Sequence, residues 1–92
     1  MKRVALYDIA SSKLRRHVSS LLMDYGFIRI QESAMVADID SRLLQSLYEH
    51  LKRFKLGDHE DIMVLRLCKE CEAEVYSVNY RVLPQKRSVI VY

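Results

Sequence analysis

The sequence is poor in the residues that interrupt regular structure: among 92 residues there are two glycines and one proline. Such a chain reads as regular elements joined by short turns, and the disordered and low-complexity classes are excluded. Two cysteines, Cys68 and Cys71, are too few for the disulfide framework of a small secreted domain. No apolar run approaches the roughly 20 residues that a membrane-spanning helix needs. Met1-Lys2-Arg3 is followed by only four uncharged residues before Asp8, so no signal peptide is read there and a cytoplasmic location is expected. No Gly-rich phosphate loop, Walker pattern, GxSxG or HExxH occurs, and no strand carries the Gly-and-aromatic signature of the common RNA-recognition module. These absences remove most enzyme classes.

Half of the residues are apolar, enough for the core of one domain spanning residues 1–92. A domain of this size buries a limited share of its surface, so dimerisation would stabilise it appreciably. The net charge is only +3, but it is segregated. Lys2, Arg3, Lys13, Arg15 and Arg16 face a single acid, Asp8, in the first sixteen residues. Lys52, Arg53, Lys55, Lys86 and Arg87 form further basic clusters, while acids gather at Asp58, Glu60, Asp61, Glu70, Glu72 and Glu74. A polyanion binder needs such segregation, although solvated faces also produce it.

Val4 to Tyr7 reads as a buried first strand. Ser11 or Ser12 can cap a helix whose Leu14, Val18, Leu21, Leu22 and Tyr25 share one face, and Gly26 is placed to end it. Phe27–Gln31 and Ser33–Ile39 read as an antiparallel strand pair, with Met35, Ala37 and Ile39 on one side. Asp40 or Ser41 caps a second helix carrying Leu43, Leu44, Leu47, Leu51 and Phe54, with Gly57 at its end. Ile62 to Cys68 is a fourth strand, with Met63, Leu65 and Leu67 on one side. The order βαββαβ predicts an α+β, ferredoxin-like fold with both helices on one face of a mainly antiparallel sheet. Tyr76–Val82 and Ser88–Tyr92 are surplus strand-like runs, so residues from about 75 to 92 read as an extension that pairs with a partner subunit's sheet edge in a homodimer.

Tyr7-Asp8-Ile9 sets a carboxylate at the carboxyl end of the first strand. In a two-fold dimer the two Asp8 side chains could converge on one hard cation, Mg²⁺ or Mn²⁺, able to activate water and stabilise a phosphodiester transition state. The competing reading is an Asp that caps the following turn or helix, with Ser11 as the rival cap. Lys13, Arg15, Arg16 and His17 begin the first helix, where basic groups oppose the helix dipole and can meet phosphate oxygens. A solvated basic face is the alternative. His17 alone reads as a surface histidine. Cys68-Lys69-Glu70-Cys71 is a single CxxC without the second ligand pair that structural zinc requires. It follows a strand rather than opening a helix, so two reduced thiols near a turn are expected. Asp58-His59-Glu60-Asp61 reads as a solvated acidic turn rather than a ligand cluster.

Taken in order, these features resemble the Cas-two family of CRISPR-associated proteins over nearly the whole chain. The resemblance is carried by Tyr7-Asp8-Ile9, Lys13-Leu14-Arg15-Arg16-His17-Val18, Asp24-Tyr25-Gly26-Phe27, Gln31-Glu32-Ser33, the Leu-rich second helix and Arg66-Leu67-Cys68. It implies a homodimer whose C-terminal strands cross onto the partner's sheet, and it makes Asp8 the match to the family's metal-binding and catalytic Asp near the two-fold axis. It further implies one Mg²⁺ or Mn²⁺ shared between subunits, with Tyr7, Gln31 and Ser33 supporting the site. Partnership with the Cas-one integrase and binding of short double-stranded DNA in spacer acquisition follow from the same resemblance. So does metal-dependent endonuclease activity on RNA or DNA. After Gln31-x-Ser33 the family pattern usually continues with Val, Phe and often Glu, whereas Ala34, Met35 and Val36 stand here. A ferredoxin-like regulatory dimer without nucleic acid is the alternative.

Overall fold

Alternation of side chains between the two faces of the first strand sorts the molecule into layers. In a computed structural model, which describes residues 1–79, β1 runs Lys2–Asp8, and Ala5 and Tyr7 on one side are buried while Leu6 and Asp8 on the other are exposed. The remaining elements are α1 (Ser12–Asp24), β2 (Ile28–Gln31), β3 (Ala34–Asp38), α2 (Ser41–Leu51), β4 (Asp61–Leu67) and α3 (Lys69–Ala73). The sheet order is β2-β3-β1-β4, and β1 pairs antiparallel with both β3 and β4. This is the ferredoxin-like α+β arrangement expected from the element order. Tyr76 to Asn79 hold turn and irregular backbone; the rest of that run and Ser88–Tyr92 lie outside the described residues.

Both long helices start and stop where backbone chemistry requires. The Ser11 hydroxyl accepts from the Leu14 N–H at 3.2 Å and caps α1, and the Asp40 carboxylate accepts from Leu43 N–H at 2.8 Å and caps α2. At the far end of α1, Gly26 takes φ 90°. Its N–H donates to Met23 and the Phe27 N–H to Leu22, closing the last turn by the doubled reversal that a left-handed glycine permits. α2 ends at Leu51, short of the Gly57 stop expected from sequence. Arg53 and Phe54 N–H groups reach back three residues to His50 and Leu51, so tighter turns carry the chain on. Phe54 still packs against the core, as its spacing predicts.

The core lies between the helices and one face of the sheet. Ala5, Tyr7, Ile9, Met35, Ala37 and Ile39 from the sheet side meet Val18, Leu22, Leu44 and Leu47 from the helices. Leu22, Met35, Leu47 and Val18 are the large side chains fully withdrawn from water there. The opposite face has a different character. Leu6 stands opposite Ala34 on one side and Met63 on the other, and Val4 opposite Val36 and Leu65. Ile28 joins this face beside Val36. Neither long helix covers it, and Ile28, Met63, Leu65 and Leu6 remain exposed.

A candidate site at the carboxyl end of the first strand

β1 delivers Tyr7 and Asp8 to opposite sides of the sheet, because successive side chains on a strand alternate. Tyr7 is buried on the helix side. Its backbone N–H donates to the Ser33 carbonyl at 3.0 Å, and its hydroxyl donates to the Glu32 carbonyl at 3.3 Å. Arg29 donates to the Tyr7 hydroxyl at 3.1 Å and to the same Glu32 carbonyl. Tyr7 therefore braces the β2–β3 turn, in which exposed Ser33 stands beside the end of β1, while exposed Gln31 ends β2 one strand further out. Of the residues named from sequence, Tyr7 and Ser33 are joined here, with Tyr7 buried on the helix side. Arg29 completes that brace and was not foreseen, since nothing in a strand pattern marks an arginine that reaches a turn carbonyl.

Asp8 is exposed on the open face. Ser11 takes the capping role, so the competing reading of Asp8 as the helix cap is not realised. Among the described residues the Asp8 side chain has no hydrogen-bond partner. Its cross-strand neighbour is Asp61, the first residue of β4. Directly opposed like charges are unfavourable in a sheet, and a cation would relieve the opposition. Two carboxylates also match the hard oxygen donors that Mg²⁺ and Mn²⁺ prefer. No cluster of three or more possible metal ligands exists among the described residues.

Glu60 belongs to the same neighbourhood but does different work. Its carboxylate accepts the Gly57 N–H and the Ala10 N–H, each at 2.8 Å. These bonds clamp the loop after β1 to the loop before β4, and the Gly57 and Ala10 N–H groups hold the Glu60 carboxyl below its ordinary pKa. Of the acidic turn Asp58-His59-Glu60-Asp61, then, Glu60 is a backbone anchor and Asp61 the neighbour of Asp8. A reading of side-chain motifs does not find such an anchor, because its partners are main-chain groups.

The basic residues of α1 separate into two kinds. Lys13, Arg16 and His17 are exposed along the outside of the helix. Arg15 is half-buried and donates from Nη1 to the Ile9 carbonyl at 3.1 Å, fixing the chain just beyond Asp8. Lys2 is drawn away from any ligand by Glu72 of α3, at 2.9 Å. The cysteines correct an expectation: Cys68 is the N-cap of α3, so the CxxC does open a helix, a five-residue one whose start the strand pattern had hidden.

Among the described residues no helix is long and apolar enough to cross a membrane. The family model for CRISPR associated protein Cas2 matches residues 1–75. A CRISPR-associated endoribonuclease Cas2 of Korarchaeum cryptofilum is 35% identical over 68 residues, covering 74% of this chain and 73% of that one. A CRISPR-associated endonuclease Cas1/endonuclease Cas2 fusion of Thermoproteus tenax is 35% identical over 66 residues, 72% of this chain and 25% of the fusion. The crystal structure of Streptococcus pyogenes Cas2 at pH 6.5 superposes with a TM-score of 0.73 at 22% identity, covering 85% of this chain and 99% of that one. With a match over most of its length and relatives of this similarity, the chain belongs to the Cas2 family of CRISPR-associated proteins.

Proposed function

We propose that two copies of this chain close their open sheet faces on one another, and that the dimer binds double-stranded DNA in CRISPR spacer acquisition as the structural subunit beside the Cas-one integrase. The observation that carries this reading is the shared face of Asp8 and the uncovered apolar residues. Exposed Leu6, Met63 and Leu65 need a second layer, and Asp8 lies two positions beyond Leu6 on the same side. A two-fold axis through that face brings a second Asp8 toward the first, because an isologous interface repeats each contact. The name of the Thermoproteus fusion, which joins a Cas1 and a Cas2, supports an integrase partner for this chain as well. Lys13 and Arg16, with the free donors of Arg15, supply sequence-tolerant contacts to backbone phosphates.

The relatives named endoribonuclease support a second property, phosphodiester cleavage of RNA or DNA at the same site. Asp8 from both copies, assisted by Asp61, would hold one Mg²⁺ or Mn²⁺. That ion supplies an activated water and charge stabilisation at phosphorus when bound. The chain's own contribution is to fix where the carboxylates stand, through the Glu60 clamp and the Arg15 bond to the Ile9 carbonyl.

Labelled RNA and duplex DNA incubated with wild type and Asp8→Asn, in Mg²⁺, Mn²⁺ or EDTA, test both parts. Metal-dependent cleavage lost in Asp8→Asn, with salt-sensitive duplex binding retained, is the expected result. Equal background cleavage in both proteins with binding retained leaves the scaffold and removes the nuclease. Absence of binding at low salt removes both and leaves a regulatory dimer.

A further inference from the structure

The second constellation with chemistry of its own stands apart from the Asp8 site, at the other end of β4. Cys68 ends the strand and begins α3, and its Sγ lies 3.1 Å from Sγ of Cys71. One turn of helix brings the two thiols into contact, since residues three apart share a face. The contact is also chemically unequal. Contact with the Cys71 side chain lowers the Cys68 pKa, and the Cys71 backbone N–H, which donates to Cys68 Sγ at 3.4 Å, lowers it further. The same contact raises that of Cys71. Cys71 is exposed and Cys68 half-exposed, so a small reactant can reach the pair. Neither residue contributes to the core, and α3 buries none of its residues. A structural role in packing therefore leaves this arrangement unexplained.

We propose that Cys68 and Cys71 form a reversible dithiol–disulfide site that reacts with low-molecular-weight disulfides, Cys68 attacking and Cys71 resolving. The Cys68 thiolate attacks one sulfur of the small disulfide; that S–S bond breaks, a thiolate leaves, and a mixed disulfide forms on Cys68. Cys71 then loses its proton to solvent, and its thiolate attacks Cys68 Sγ and expels the second small thiolate. In total the protein loses two protons and two electrons and gains one S–S bond, while the small disulfide becomes two thiols. Forming the bond requires the sulfurs to close by about 1 Å, to the usual 2.05 Å. The turn from β4 into α3 is then covalently pinned. Glu72 of α3, bound to Lys2 of β1 at 2.9 Å, ties that turn to the sheet. The reduced form is recovered by the reverse exchange with a dithiol.

The test uses the full-length reduced protein, treated with oxidised glutathione at neutral pH, quenched with an alkylating agent and weighed intact by mass spectrometry. The expected wild-type product is a monomeric chain with no alkylation and no glutathione adduct, restored to two alkylated thiols by dithiothreitol. Cys71→Ser is expected to stop at a single glutathione adduct on Cys68, because nothing resolves it. Cys68→Ser is expected to react several-fold more slowly than Cys71→Ser. A wild type that keeps two alkylatable thiols, accumulates stable adducts, or forms disulfide-linked dimers overturns the proposal. Equal rates for the two single variants overturn the assignment of attacking and resolving roles. Circular dichroism of each variant, expected to match wild type because α3 is exposed, confirms that the fold is retained.

Discussion

The two faces of the one sheet differ in how far the described residues cover them. On the helix side, Ala5, Tyr7 and Met35 are sealed by Val18, Leu22, Leu44 and Leu47. On the open side, Met63 and Ile28 remain 56% and 52% exposed although their cross-strand neighbours are apolar. Apolar residues on a sheet face are stabilising only when a second layer removes them from water. The first face therefore accounts for the fold of the chain, and the second is the surface that the proposed dimer would use. Asp8 belongs to the second.

The contrast can be broken at either face, and the largest effect is expected where a charge is forced into the proposed interface. Leu6→Asp places a carboxylate among Ala34, Met63 and Val4 of its own sheet. If a second copy covers that face, an unpaired charge there costs several kcal/mol. Analytical ultracentrifugation should show monomer, while circular dichroism keeps its helical and strand signals. On the closed face, Leu22→Ala removes a fully buried side chain and should cost about 2–5 kcal/mol of unfolding free energy by urea titration. Because the damage is to the core, stability falls in every oligomeric state.

Smaller effects sharpen the comparison at the edge of the site. Glu60 is held below its ordinary pKa by Gly57 and Ala10 N–H groups, so its ionised form is favoured by the fold. Its contribution is fully present above the ordinary Glu range and is lost as pH falls through the lowered value. Glu60→Gln should therefore unfold at lower urea than wild type at pH 7, and the two midpoints should converge on acidification below about pH 4. The smallest effect separates neighbouring arginines. Arg16→Ala should weaken duplex binding a few-fold, flatten its salt dependence by about one unit of slope, and leave stability unchanged. Arg15→Ala should also cost stability, about 1 kcal/mol, because it gives up the bond to the Ile9 carbonyl.

Much of this contrast is legible in the sequence. Apolar positions spaced on one helical face at Val18, Leu22, Leu44 and Leu47 mark the closed core, and the order of elements fixes the sheet. Period-two alternation put Met63, Leu65 and Leu67 together on β4, but it carries no sign saying whether a face is covered. That depends on where the helices pack, which is decided by tertiary contacts. Val36 stands beside Val4 and Ile28 on that second face and is itself buried, so the sheet is covered at its middle and exposed toward Ile28 and Met63. Asp8 could be named from its place at a strand end. Asp61 could not, because it faces Asp8 through a β1–β4 register that spans more than fifty residues of sequence. The anchoring role of Glu60 and the helix begun by Cys68 escaped for a related reason. The Glu60 carboxylate reaches a backbone group fifty residues away at Ala10, and Cys68 caps a helix too short to show a periodic pattern.

In the proposed dimer the open faces meet and bring the Asp8 residues of two chains to one ion. Manganese titration of the purified protein, read by electron paramagnetic resonance with Asp8→Asn as control, measures this directly. One Mn²⁺ bound per two chains in the wild type, and none at that affinity in Asp8→Asn, is the expected result. One ion per chain, or binding that survives Asp8→Asn, would contradict the shared site.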